Sequence, residues 1–160
     1  MRVEEPQVKY YRFEELLEKD GYLLYTNVGS SMMPLLRERK DIIEITAKRG
    51  RCKKYDVVFY KRGDQYILHR IIKVLPNGYV IAGDHNTFKE FDIKDENILG
   101  VMTRVIREGK SIYSTDFLYR LYAHLWVDFF SIKVFFLRGK ELFSRLCSIT
   151  SAKLREYLNR

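Results

Sequence analysis

Between Asp41 and Arg107 the apolar residues come in short β-branched runs, DIIEI, DVVFY, YILHRIIKV, YVIAG and ILGVMTRVI, each closed by a turn signal. Runs of this length, rich in Val, Ile and aromatic side chains, fit strands and are too short for helices. Lys61-Arg62-Gly63-Asp64 separates two of them and Pro76-Asn77-Gly78 another two. Asn77-Gly78 tolerates the positive φ values of a tight turn, so a strand over Arg70 to Pro76 is expected to turn there into the next. The middle of the chain is thereby committed to a compact, mostly antiparallel β domain.

The flanks follow a helical period. KYYRFEELLEK, residues 9–19, sets Tyr10, Phe13, Leu16 and Leu17 on one helix face, and Asp20-Gly21 ends the run. YLLYTNV then reads as a strand leading into Gly29-Ser30-Ser31-Met32-Met33-Pro34. From Ser114 the helical period returns in STDFLYRLYAHLWVDFFSIKVFFLRGK, which opens on Ser/Thr/Asp cap chemistry and carries Arg120, His124 and Asp128 at steps of four among apolar residues. About twenty helical residues would reach across a bilayer. An Arg, a His, an Asp and Lys133 inside the stretch would each cost roughly 2 to 3 kcal/mol at its centre, so a transmembrane span is rejected. The helix either covers the β domain or lies in the plane of a membrane surface over residues 116–137, a use favoured by Trp126, the Phe cluster and the basic ends. The tail sets Leu142, Leu146, Ile149 and Leu154 on one side of a second amphipathic helix. The expected division is a β domain with its N-terminal helix over 1–110 and an aromatic-rich helical extension over 111–160.

A chain of 160 residues, 46% hydrophobic and 31% charged, is globular in composition and can bury one core without disulfides or metals. Cys52 and Cys147 match no metal-ligand spacing and need not pair, which suits free thiols in a reducing compartment. The first twenty residues lack the apolar stretch of a secretory signal. A cytoplasmic or peripheral-membrane location is therefore expected. The net charge of +8 suits nucleic acid, anionic lipid or an acidic partner alike. No aromatic and basic array reads as a nucleic-acid surface, so no nucleic acid is expected, and neither is a metal or cofactor.

Chemistry-bearing residues sit at strand ends. Gly29 permits a positive-φ backbone and Pro34 stops regular pairing, so the serines between them can face a cleft. Ser31 is a candidate nucleophile, although the hexapeptide taken alone reads more readily as a turn with methionine core filler. A nucleophilic serine needs a base, and the chain has three histidines. His69 lies inside a strand-like run, where it is a base candidate or a core histidine with polar partners. His85 is in a turn and His124 is on the polar stripe of the C-terminal helix, which reads as a solvated face. In Gly83-Asp84-His85-Asn86 the Asp84 carboxylate can orient a base or simply close an Asx turn.

Taken in order, GSSMMP, LRERKDIIEI, KKYDVVFY, YILHRII, YVIAGDHN and ILGVMTRVI resemble the motif series of the type I signal peptidase superfamily, which includes the LexA-like self-cleaving repressors. The resemblance covers roughly residues 25 to 110. It implies a mainly β, signal peptidase/LexA-like antiparallel fold with an N-terminal helix and a C-terminal helical extension. It also implies a serine endopeptidase that cleaves a precursor or signal peptide after small side chains, without a cofactor. The serine of G-x-S-M-x-P is Ser31, with Ser30 at the variable position. His69-Arg70 stands where most bacterial members place a lysine and so resembles the endoplasmic-reticulum and archaeal branch. Gly83-Asp84 with Asn86 matches that branch, and the further acid it commonly carries is nearest to Glu90, with Asp92 beyond. Asp84 is the first expectation as partner of His69. The oxyanion donor would be the Ser31 backbone N–H, since Gly29 replaces a serine that supplies a side-chain donor in some members. The alternatives are a non-catalytic peptide-binding or scaffold module on the same fold, and a LexA-like regulatory peptidase, which His69 in place of lysine disfavours.

Overall fold

The computed structural model describes residues 12–139. The second amphipathic helix, Cys147 and Tyr10 lie outside the described residues. A helix, α1 (Phe13–Asp20), leads into strands β1 (Tyr22–Tyr25), β2 (Ile42–Ala47), β3 (Val57–Arg62), β4 (Gln65–Leu75) and β5 (Gly78–Ala82). Strands β6 (Glu90–Ile93), β7 (Ile98–Arg107) and β8 (Lys110–Tyr113) follow, and then helix α2 (Phe117–Asp128). The chain is mainly antiparallel β with helices at its ends, as the alternation of the middle block implies.

The strands join in the order β1-β2-β7-β3-β4-β5-β6, with β8 on β7, and every pairing is antiparallel. Central β3 explains why its sequence is apolar without alternation: all four residues of Val57-Val58-Phe59-Tyr60 are buried, because both faces of the sheet are covered. Val57 and Phe59 belong to one core, with Leu17, Met32, Leu36, Ile43, Tyr119 and Ala123. Val58 and Tyr60 belong to the other, with Cys52, Ile71, Tyr79 and Ile81. On the first face Phe13 of α1 meets the rings of Tyr25, Phe59 and Tyr66 edge-on, at 4.9 to 5.6 Å between centroids. Edge-to-face contacts of this kind add to the area they bury.

Two local features differ from the sequence reading. The β4–β5 turn is Pro76-Asn77, with Gly78 already in β5, one residue earlier than Asn77-Gly78. Proline is preset for the first turn position. Gly78 is required for a different reason: a Cβ there would stand 2.5 Å from the Ile93 carbonyl oxygen of β6. The expected helix over 116–137 is interrupted. α2 ends at Asp128, Phe129 takes a non-helical cap conformation, and helix resumes from residue 130 to the end of the described region. Among the described residues no helix is long and apolar enough to cross a membrane.

Phe59 is fully buried on the central strand under α1. Phe59→Ala should therefore lower the unfolding free energy by about 3 to 5 kcal/mol, read as a fall in the urea midpoint at unchanged slope.

Candidate active site

The segment between β1 and β2 is held as a turn by its own backbone. Gly29 takes φ +103, the left-handed region that its lack of Cβ allows, and the Met33–Pro34 peptide is cis. Asn27 Nδ2 donates to the Gly29 carbonyl at 3.1 Å, Gly29 N–H donates to Glu38 Oε1 at 2.8 Å, and Arg39 N–H donates to the Asn27 carbonyl at 3.1 Å. Met33 and Leu36 N–H donate to the Ser30 and Met32 carbonyls. Met32 is inserted into the first core and so fixes the residue beside it, leaving Ser31 partly buried and Ser30 exposed. The far end is tied by Asp41, which is fully buried and accepts from Arg37 and Arg107. Burial alone would raise its pKa, but the Arg107 and Arg37 bonds outweigh that and hold the carboxyl below its ordinary value.

His69 stands on β4 opposite Val58, with Tyr60 two residues along on the same face. Its Nδ1 lies 2.7 Å from Glu90 Oε1. The other carboxylate oxygen, Oε2, accepts from Tyr60 Oη at 2.9 Å and from Arg62 Nη1 at 2.6 Å. Tyr60 Oη also lies 3.3 Å from His69 Nδ1. An ionised carboxylate is an acceptor only, so this arrangement puts the imidazole proton on Nδ1 and leaves Nε2 with its lone pair. Among the described residues nothing hydrogen-bonds Nε2. Burial pulls the His69 pKa below its ordinary value, against the opposing pull of Glu90, and Arg62 adds to the lowering. Burial, reinforced by Glu90, raises the Tyr60 pKa, so the phenol keeps its proton and remains a donor.

Asp84 has a different partner. Arg70, the neighbour of His69, points to the opposite face of β4, where its Nε and Nη2 each donate to Asp84 at 2.8 Å. Both side chains are essentially inaccessible, at 1% and 2%. Arg70 Nη1 donates to the Tyr55 carbonyl at 2.9 Å and more weakly to Tyr119 Oη at 3.3 Å. Tyr122 Oη donates to Asp84 Oδ2 at 3.0 Å, and Trp126 Nε1 donates to the Asp84 carbonyl at 2.6 Å. Helix α2 thus closes over the pair. The structure sets Glu90 against His69 and engages Asp84 with Arg70, whereas Asp92 is exposed in left-handed backbone at φ +59.

The turn that begins at Asp84 carries the Ser31 segment. His85 N–H donates to the Ser31 carbonyl at 2.8 Å. A Cβ on Gly83 would stand 2.6 Å from that same oxygen and 2.8 Å from the Asn86 amide, so only glycine lets the two segments touch. Since Ala82 pairs with Arg70, the Ser31 backbone is fastened beside the His69-Arg70 part of β4. No hydrogen bond joins Ser31 Oγ to His69 in the free chain.

Other sequence candidates fall elsewhere. His85 is exposed beside Asp84, and His124 lies against the Tyr55 ring at 4.1 Å while Asp128 accepts from Lys54 and Tyr55. The stripe of Arg120, His124 and Asp128 is exposed, with its latter two members anchored to the segment before β3. Cys52 is a free, buried thiol whose pKa burial raises to about 11. Among the described residues no group of three or more His, Cys, Asp and Glu could hold a metal ion. A cleft of about 420 Å³ between α2 and the start of β3 is lined by Lys53, Asp56, Ser114, Arg120 and His124, away from Ser31 and His69. Sequence reasoning missed Tyr60, Arg62, Tyr122 and Trp126 as members of these networks. Tyr60 had a signal, because a two-residue turn at Gly63-Asp64 sets it on the face of His69.

Compared with known protein families, with curated proteins and with solved structures, the chain matches none. What the site can do rests on its own residues.

Two measurements follow. Asp84→Asn leaves the Arg70 guanidinium buried beside a neutral amide and should destabilise the fold by about 3 to 5 kcal/mol in urea titration, with a change in the emission of Trp126, the single tryptophan. In an NMR titration His69 should gain its proton below pH 6.5, its ordinary value. Glu90→Gln removes the anion that favours the imidazolium and should move that midpoint lower. Arg62→Gln removes an opposing cation and should move it higher.

Proposed function

We propose that the chain is a serine endopeptidase of the signal peptidase type, with the signal peptidase/LexA-like arrangement of its β fold, cleaving a precursor or signal peptide. The observation that carries this reading is the Glu90–His69 pair, with Nε2 unengaged by any described residue, on the strand beside which the Ser31 backbone is fastened. A buried imidazole tautomerised by a carboxylate is the form a general base requires at neutral pH.

In the proposed reaction Ser31 Oγ attacks the scissile carbonyl carbon while its proton passes to His69 Nε2. Glu90 stabilises the imidazolium so formed, and Tyr60 and Arg62 hold Glu90 in place. The Ser31 backbone N–H is the proposed donor to the developing oxyanion, with Gly29 offering no side-chain help. The Nε2 proton then goes to the leaving amine, the C–N bond breaks, and a water activated by the same nitrogen hydrolyses the acyl-enzyme. The Ser31 hydroxyl has to close on Nε2 when substrate binds, a tightening common between free and substrate-bound enzymes. Arg70 and Asp84 are positioning residues in this scheme. An extended substrate recognised through its backbone also needs no deep pocket beside Ser31. A site of action in the cytoplasm or at a membrane surface belongs to the same reading and agrees with Cys52 as a free thiol.

The absence of a Ser31–His69 hydrogen bond favours one other reading, a peptide-binding module that does not turn over its ligand. Incubation of the full chain with precursor peptides carrying small residues before the cut separates the two. The peptidase reading expects cleavage, with Ser31→Ala and His69→Ala each lowering kcat at least about a thousandfold and Ser30→Ala staying near wild type. Tight binding without cleavage by the wild-type chain supports the module, and cleavage that survives both substitutions sinks the mechanism.

A further inference from the structure

The surface of α2 and the helix that follows it divides into three sectors. Tyr119, Ala123 and Val127 are buried against the β domain. Arg120, His124 and Asp128 form a polar strip at steps of four. The remaining sector is apolar and open: Leu118, Leu121, Leu125, Phe129, Ile132 and Phe136 recur at steps of three and four, with exposures from 44% to 74%. Single exposed leucines are ordinary, whereas a continuous stripe running through two helical segments marks a docking surface. Its second half forms a groove of about 500 Å³ between Leu125, Phe129, Ile132 and Phe136.

The charges around this stripe identify what it meets. Residues 117–139 carry Arg120, Lys133 and Arg138 against a single acid, Asp128, and Lys54 already occupies that acid at 2.6 Å. Lys89, from the segment before β6, stands 4.7 Å from the Phe130 ring centroid, and Lys133 stands 4.1 Å from the same ring. Asp116, the N-cap of α2, accepts from the Tyr113 N–H, so among the described residues the stripe is bordered mainly by cations, and the acids of its helix are engaged within the chain. A second copy would bring the same basic border against it, and each chain carries a net charge of +8. An anionic lipid surface supplies the opposite sign and, beneath its headgroups, an apolar layer that accepts Phe and Leu side chains. We propose that this face docks in the plane of an anionic membrane surface, with the apolar stripe inserted and Arg120, Arg138 and Lys89 at headgroup level. The proposal stands apart from the peptidase chemistry, but it has a consequence for it: through Trp126 and Asp84 the same helix touches the turn that fastens Ser31.

Co-sedimentation of the full chain with vesicles tests this. Wild type should bind phosphatidylcholine vesicles doped with phosphatidylglycerol and bind pure phosphatidylcholine much more weakly, with the difference shrinking as salt rises. The triple variant Leu118→Ser, Phe135→Ser, Phe136→Ser alters only strongly exposed side chains and should lower the vesicle affinity at least about tenfold. Arg120→Gln with Arg138→Gln should cost about fivefold per charge on the anionic vesicles alone. Ser31→Ala should bind as wild type does, so loss of catalysis and loss of docking are read separately. Circular dichroism melts confirm that each variant is folded. No binding to the anionic vesicles, or equal binding by wild type and the triple variant, overturns the proposal. Sedimentation equilibrium without lipid provides the other overturning result: a dimer that the triple variant dissolves assigns the stripe to a second copy.

Discussion

The buried ion pair of Arg70 and Asp84 is the constraint on which the rest of the site depends. Two fully desolvated charges are tolerable only when their donors and acceptors are met, and here the partners are three residues from two places: Tyr55 before β3, and Tyr119 and Tyr122 on α2. A pair satisfied in this way contributes little net stability compared with apolar side chains of the same volume. What it does contribute is location. It fixes the turn after β5 to the strand that carries His69, and it fixes α2 to that turn.

From that anchor the candidate chemistry is distributed by the two-residue alternation of β4. Arg70 faces the core under α2, and His69 faces the other core, where Tyr60 and Glu90 wait. Adjacent residues therefore do unrelated work without competing for one acid. Glu90 reaches His69 from β6, across intervening β5, a span for which the longer carboxylate side chain suits better than aspartate. The same register explains Gly83. Its missing side chain is the gap into which the Ser31 carbonyl fits.

Much of this was legible in the amino-acid sequence, and the part that was not has an identifiable cause. The strand runs, the Gly63-Asp64 turn and the placement of Ser31 after β1 follow from local chemistry, and that turn sets Val58 opposite His69. Strands β6 and β8 were not foreseen, since each is only four residues long and EFDI and KSIY carry little apolar pattern. The choice of acid failed through register. A turn at Asn77-Gly78 would set Asp84 opposite Ile71, on the face of His69. The actual turn at Pro76-Asn77, with a bulge between Ile71 and Lys73, pairs Ala82 with Arg70 and carries Asp84 to the Arg70 face. The turn alone moves the pairing by two residues and keeps Asp84 on the His69 face; the bulge adds one more, and that odd shift carries the carboxylate to the other side of the sheet.

In the C-terminal helix the structure separates what the sequence left even: one sector packs on the β domain and another is left exposed. Helical periodicity cannot rank an apolar sector as core or as surface when the helix is apolar on most sides. Packing decides it. Tyr119 and Ala123 enter the core, where Tyr119 Oη accepts from Arg70 and the nearby Tyr122 donates to Asp84, and this packing turns Leu118, Leu121 and Leu125 outward. The helix is interrupted at Phe129, and next to it the Phe130 ring meets both Lys89 and Lys133. The exposed stripe is accordingly a consequence of how the ion pair is covered, and any surface that takes up the stripe bears on the helix that holds the Ser31 turn in place.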